Sequence, residues 1–97
     1  MKPKRGIGNI CFDIDGTLCN EICFTEKEVR NATLNKKMAK LAEYYYLNGF
    51  LILYTARREE LIGATLKWLR LNGVRYHAIS NIKIPASMYV DDKAKEI

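Results

Sequence analysis

The sequence predicts an α/β fold: a three-layer, Rossmann-like sandwich around a central parallel sheet of about four strands, with no cap domain. Three observations carry this expectation. Short apolar runs alternate with amphipathic helical stretches along the chain. Leu-Asn-Gly stands between a helical stretch and an apolar run twice, at Leu47–Gly49 and Leu71–Gly73. Polar residues able to do chemistry follow the apolar runs, where an open parallel sheet presents its strand ends.

Each element has its own signal. "NICF", Asn9–Phe12, is a short apolar run that stops at carboxylates, the pattern of a buried strand. Leu34, Met38, Leu41 and Tyr45 recur at helical spacing, and Gly49 stands where a C-terminal cap is wanted. "FLILYT", Phe50–Thr55, is continuously apolar and aromatic, as expected of a strand covered on both faces. A second amphipathic helix follows through Leu61, Ala64, Trp68 and Leu69, with Gly73 as its cap. "VRYHAIS", Val74–Ser80, and "SMYVDD", Ser87–Asp92, supply two more strands. Right-handed crossovers then place every strand C-terminus on one edge. The triple Tyr44-Tyr45-Tyr46 cannot point one way on a helix, so at least one ring is expected at the surface.

Composition narrows the function classes. The 97 residues read as one domain, residues 1–97, with no linker or low-complexity segment. No stretch approaches the roughly 20 apolar residues of a membrane span, and "MKPKRG" leads into too short an apolar run for a secretory signal, so the expected location is cytoplasmic. Cys11, Cys19 and Cys23 are then expected as reduced thiols. They lack the paired spacing of a zinc site, and the single histidine, His77, is distant in sequence. The net charge of +5 is accounted for first by a solvated basic face, and a phosphorylated substrate, nucleic acid or acidic glycan as partner comes second.

The chemistry concentrates in "FDIDGTL". Asp13 and Asp15 are i and i+2, so on an extended chain both carboxylates face one small volume. Such a pair repels itself unless a hard cation joins it; magnesium, which takes a few carboxylates, waters and substrate phosphate, suits best, with Asp91 or Asp92 completing the set. Gly16 lets the chain leave the strand sharply, and Thr17 is expected to hydrogen-bond the turned backbone. A calcium loop is excluded by Thr17 and Phe24 at its fifth and twelfth positions, and a glycosyltransferase wants a longer chain. Arg57 reaches either substrate or Glu59 and Glu60.

In order along the chain, "DIDGT", "ILYTAR" ending in Thr55, Ala56 and Arg57, Lys83 eight residues before Asp91, and "YVDDKA" resemble motifs I to IV of the haloacid dehalogenase superfamily. The resemblance is strongest to small uncapped phosphatases associated with capsule and polysaccharide biosynthesis; Pro85 stands one position later than the Lys-Pro pair common among them. It implies a magnesium-dependent phosphomonoesterase working through an aspartyl-phosphate. Asp13 is then the nucleophile and Asp15 the acid that turns base. Thr55 and Lys83 hold the phosphoryl group, with Gly16, Thr17, Ala56 and Arg57 at the substrate. Asp13, Asp15 (through its backbone carbonyl), Asp91 and Asp92 are the implied ligands of Mg2+.

Under twenty residues separate Thr17 from the first predicted helix, enough for a helical turn and a β-hairpin flap but not a cap. The site is therefore expected to be open, with Asn20–Thr25 carrying much of the specificity. The expected substrate is a sugar phosphate or related metabolite. Two readings compete: a polynucleotide end phosphatase, and a non-catalytic binding module that keeps the fold. An exposed fourth strand at the sheet edge would allow pairing of two chains.

Overall fold

The computed structural model describes residues 8–91. Strand β1 (Asn9–Asp13) ends in a wide single turn through Ile14–Leu18, closed where the Cys19 amide donates to the Ile14 carbonyl at 3.0 Å. Helices α1 (Glu26–Asn31) and α2 (Lys36–Asn48) follow, then β2 (Phe50–Tyr54), a 3-10 turn at Glu59–Leu61 running into α3 (Ile62–Leu71), β3 (Ala78–Ser80) and β4 (Met88–Val90). The strands form one parallel sheet in the order β3-β2-β1-β4, a Rossmann-like α/β arrangement.

Strand alternation decides where the core sits. Ile10 and Phe12 of β1, Leu51 and Leu53 of β2, and Val90 of β4 share one face and pack with Met38 and Ala42 of α2 and Trp68 and Leu69 of α3. Both helices lie on this face because the chain steps from β1 to β2 to β3 in one direction through right-handed crossovers. Each large side chain so buried contributes roughly 1.5–3 kcal/mol. Cys11, Ile52, Tyr54 and Tyr89 belong to the opposite face, which the connection 81–87 crosses: Tyr89 Oη donates to the Ile84 carbonyl, and Lys83 Nζ lies 5.0 Å from the Tyr54 ring centre. The far layer of the sandwich is thus a loop among the described residues.

Caps set the helix boundaries. Asn35 accepts from the Met38 amide and starts α2, so Leu34 precedes the helix rather than joining it. The two glycines after the helices differ. Gly73 has φ +69°, and the turn is closed by Val74 N–H on the Leu69 carbonyl, a left-handed cap that glycine adopts without cost. Gly49 is extended (φ −157°), a conformation any residue takes. Strand β3 is shorter than expected, because Val74–His77 run irregularly before joining the sheet at Ala78. The tyrosines diverge: Tyr45 packs edge-on against Phe12, Tyr46 stacks on His77, and Tyr44 is exposed.

The expected flap hairpin does not form. Asn20–Thr25 is irregular and leads into α1, which Thr25 and Glu28 start with a reciprocal capping box. "TEKE" carried that signal. The base of the segment is closed by an isolated bridge between Cys19 and Leu34 and by Glu21, whose carboxylate accepts from the Thr33 amide (2.8 Å) and hydroxyl (2.7 Å). Strand β4 occupies one sheet edge among the described residues.

Candidate active site

Parallel strands bring their C-termini to one edge, and the site is built there. Asp13 ends β1; beyond it the chain enters the turn, Ile14 is buried in the core, and Asp15 is extended (φ −67°, ψ 128°). Asp13 and Asp15 therefore flank a buried residue and both line one cleft of about 230 Å³, together with Thr55, Ala56 and Arg57 from the end of β2. Gly16, at φ +74°, makes the sharp exit, a position where a side chain would be strained. Its amide donates to the Glu21 carbonyl at 3.1 Å and so ties the turn to the flap.

Arg57 organises this cleft. Its guanidinium turns inward, not to Glu59, Glu60 or the solvent, and its side chain is 1% exposed. Nε and Nη2 reach the Asp15 carboxylate at 2.9–3.1 Å. Nη1 donates to Thr65 Oγ1 of α3 at 2.8 Å, and Nη2 also approaches Cys19 Sγ at 3.6 Å. The Cys23 amide adds a further bond to Asp15 Oδ1, so the carboxylate is held from the β2 loop and from the flap together. Thr55 is fully buried; its hydroxyl accepts from the Arg57 amide (3.1 Å) and points at Asp15 (3.5 Å).

Lys83 and Asp91 meet beside the cleft, on the adjoining strand end and outside the residues that line it. Val90 pairs with Phe12 across β4 and β1, which sets Asp91 beside Asp13 at neighbouring strand ends. Lys83 Nζ lies 4.0 Å from Asp91 Oδ2, above the rings of Tyr54 and Tyr89. This ammonium contributes to the field at Cys11, whose thiol burial nonetheless pushes up.

Of the residues singled out from the sequence, Asp13, Asp15, Thr55, Ala56 and Arg57 share the cleft, and Lys83 meets Asp91. Gly16 and Thr17 are not among the residues lining it. Thr17 is fully enclosed and its buried hydroxyl has no hydrogen-bond partner, so the expected bond to the turned backbone is absent. Asp92 lies outside the described residues. The inward partners of Arg57, namely Thr65 and Cys19, had no sequence signal, because their spacings of eight and 38 residues belong to no local motif.

Two donor sets could be considered for a metal. Asp15, Cys19 and Cys23 bring ligand atoms within 4.8 Å of one another. The Arg57 guanidinium stands among them, and burial raises both thiols, that of Cys23 to about 11, so this set does not fit a cation. Asp13 and Asp91, hard oxygen donors on adjacent strand ends and only partly buried, do fit magnesium.

No protein-family model and no curated protein matches the chain. Two solved structures share its fold. A chain of the Pnkp1/Rnl/Hen1 complex superposes with a TM-score of 0.66 at 17% identity, over 88% of this chain and 29% of that one. A chain of the Pnkp1/Rnl/Hen1 RNA repair complex gives 0.65 at 17% identity, over 88% and 26%. The likeness is one of fold. The present chain spans less than a third of either neighbour.

Proposed function

We propose that the protein is a phosphomonoester hydrolase of the haloacid dehalogenase type, with Asp13 as nucleophile and Mg2+ as cofactor. The observation that carries this reading is the meeting of Asp13, Asp15 and Thr55 in one cleft, with the Lys83–Asp91 pair on the adjoining strand end. Carboxylates gathered at one strand edge beside an ammonium suit a phosphoryl group better than they suit solubility.

In the first half-reaction an Asp13 oxygen attacks phosphorus, the bond from phosphorus to the leaving oxygen breaks, and that oxygen takes a proton from Asp15. In the second, water attacks the aspartyl-phosphate, Asp15 accepts the water's proton, and the bond from Asp13 to phosphorus breaks to release phosphate. Lys83 and Thr55 stabilise the charge spreading over the phosphoryl oxygens. Asp13, Asp91 and the Asp15 carbonyl would hold Mg2+, which supplies further charge neutralisation there. Asp15 accepts hydrogen bonds on both oxygens from Arg57, so to take the water's proton as base it has to turn one oxygen off the guanidinium. As acid it has to turn off the guanidinium to carry a proton outward.

A sugar phosphate remains one candidate substrate. A polynucleotide end is the second, favoured by the neighbours from an RNA repair complex and by the net charge of +5. The test of the reaction is phosphate release from an aryl phosphate with and without magnesium, comparing the wild type with Asp13→Asn. Metal-dependent release that the substitution abolishes is expected. Equal release from both proteins would remove the proposal.

A further inference from the structure

The catalytic groups account for only one wall of the cleft. The remainder is Ile22 and Phe24 from the flap, with Tyr54, Leu61 and the rim residue Arg58. Ile22 is 62% exposed and Phe24 73% exposed, although a soluble chain ordinarily gains by burying such side chains. Single exposed apolar residues are commonplace; here two, at i and i+2, line the same cleft as the carboxylates. Phe24 is also held in place. Its amide donates to Glu28 Oε1 at 2.7 Å, the preceding Cys23 amide donates to Asp15 and the following Thr25 amide to Glu28 Oε1 at 3.0 Å, so the backbone is held on both sides of Phe24.

The chemistry of this wall selects a leaving group. A sugar ring presents hydroxyls in every direction and wants hydrogen-bonding side chains around it. The flap side chains offer little of this: Ile22 and Phe24 are apolar and the Cys23 thiol donates to the Glu28 carbonyl, so outside the catalytic groups the hydrogen-bonding side chains are the Tyr54 hydroxyl and Arg58, which is paired with Glu60. A planar heterocycle needs only a flat apolar face, which Phe24 provides.

We propose that Phe24, backed by Ile22, is a stacking platform for the nucleobase of a phosphorylated nucleoside or polynucleotide end, and that it sets preference for such substrates over sugar phosphates. The orientation of the substrate rests on the phosphatase reading above; the stacking itself does not.

The experiment compares adenosine 5′-monophosphate with ribose 5-phosphate, which share the phosphate and its ester oxygen and differ in the base. Binding of both is measured by calorimetry on magnesium-loaded Asp13→Asn, and kcat/KM on the wild type. The nucleotide is expected to bind about 5- to 150-fold more tightly, the range of one base–aromatic stack. In Asp13→Asn/Phe24→Ala the ratio falls toward one, and in Asp13→Asn/Phe24→Trp it is retained. A ratio near one in Asp13→Asn, a ratio that survives Phe24→Ala, or no binding of either compound overturns the platform. The two proposals fail separately. Equal turnover of both compounds by the wild type, with equal binding, keeps the phosphatase and removes the platform. A Phe24-dependent binding preference with no turnover keeps the platform and removes the phosphatase.

Discussion

Two cation–carboxylate pairs stand at this strand edge, Arg57–Asp15 in the cleft and Lys83–Asp91 beside it, yet they are built differently. Arg57 and Asp15 are 1% and 19% exposed, share several hydrogen bonds at 2.9–3.1 Å, and draw in Thr65 and the Cys23 amide. Lys83 and Asp91 are 44% and 24% exposed and meet at 4.0 Å. A buried pair with its remaining donors satisfied fixes geometry, and losing one partner strands the other in a poor solvent. An exposed pair at 4 Å stabilises little. The buried pair therefore fixes the geometry of the Asp15 carboxylate, while the exposed pair is the one that, under the proposed function, faces the phosphoryl group and the metal.

The largest expected effect tests where the reaction is centred. Asp13→Asn should lower turnover by on the order of 10⁴-fold or more, as for removal of other covalent nucleophiles, with a near-unchanged urea midpoint. A drop in both would mean that Asp13 also holds the fold together, as the buried Arg57–Asp15 pair does.

Next come the partners of the buried pair. Asp15→Ala leaves an almost wholly enclosed guanidinium without its carboxylate and should cost about 3–5 kcal/mol. Arg57→Met leaves a carboxylate that still touches water and should cost about 1–3 kcal/mol. The inequality is what matters: urea unfolding showing Arg57→Met as the more damaging change would contradict the asymmetry of burial.

Lys83→Ala sharpens the contrast from the other side. Loss of stability should be below about 1 kcal/mol, while turnover falls about 10²- to 10³-fold through lost charge stabilisation. Denaturation and kinetics on one preparation separate these.

The smallest effect concerns acid. Backbone amides of Phe24 and Thr25 hold Glu28 below its ordinary value of 4.5, and the Thr33 hydroxyl and amide hold Glu21 below it as well. Carboxyls depressed in the folded state stabilise it fully above their unfolded value, and that contribution fades as pH falls from 4.5 through the folded values. Protection against amide exchange, measured relative to the intrinsic rate at each pH, should therefore fall across residues 20–33 below pH 4.5 before it does in β1 and β2. Glu28→Gln should remove part of that dependence; uniform exchange across the chain would show that the flap has no separate acid sensitivity.

Much of the fold was legible because the signals are local. The apolar run Asn9–Phe12 that stops at a carboxylate, the apolar run Phe50–Tyr54, and the glycine after α3 each report a local pattern or a torsion that neighbours along the chain decide. Strand ends carrying Asp13, Thr55 and Asp91 followed from parallel topology. The flap misled in a specific way: its length admitted a hairpin, but Thr25 and Glu28 cap a helix, and Glu21 is spent on Thr33. Thr17 misled for the opposite reason, since a hydroxyl beside a turn can bond it locally, yet here packing enclosed the side chain without a partner.

By itself the sequence determined the element types, their order, the parallel sheet they imply, and the edge at which the carboxylates gather. These depend on periodicity and handedness, which a chain carries in every short window. Only the tertiary structure decided that Arg57 faces Asp15 rather than its acidic neighbours, that Thr65 and Cys19 complete that contact, and that Phe24 stands exposed over the cleft. Those outcomes depend on which side of the sheet a loop crosses and how much space α3 leaves beneath it. Residues eight, 38 and 42 positions apart meet there, and no local rule relates them.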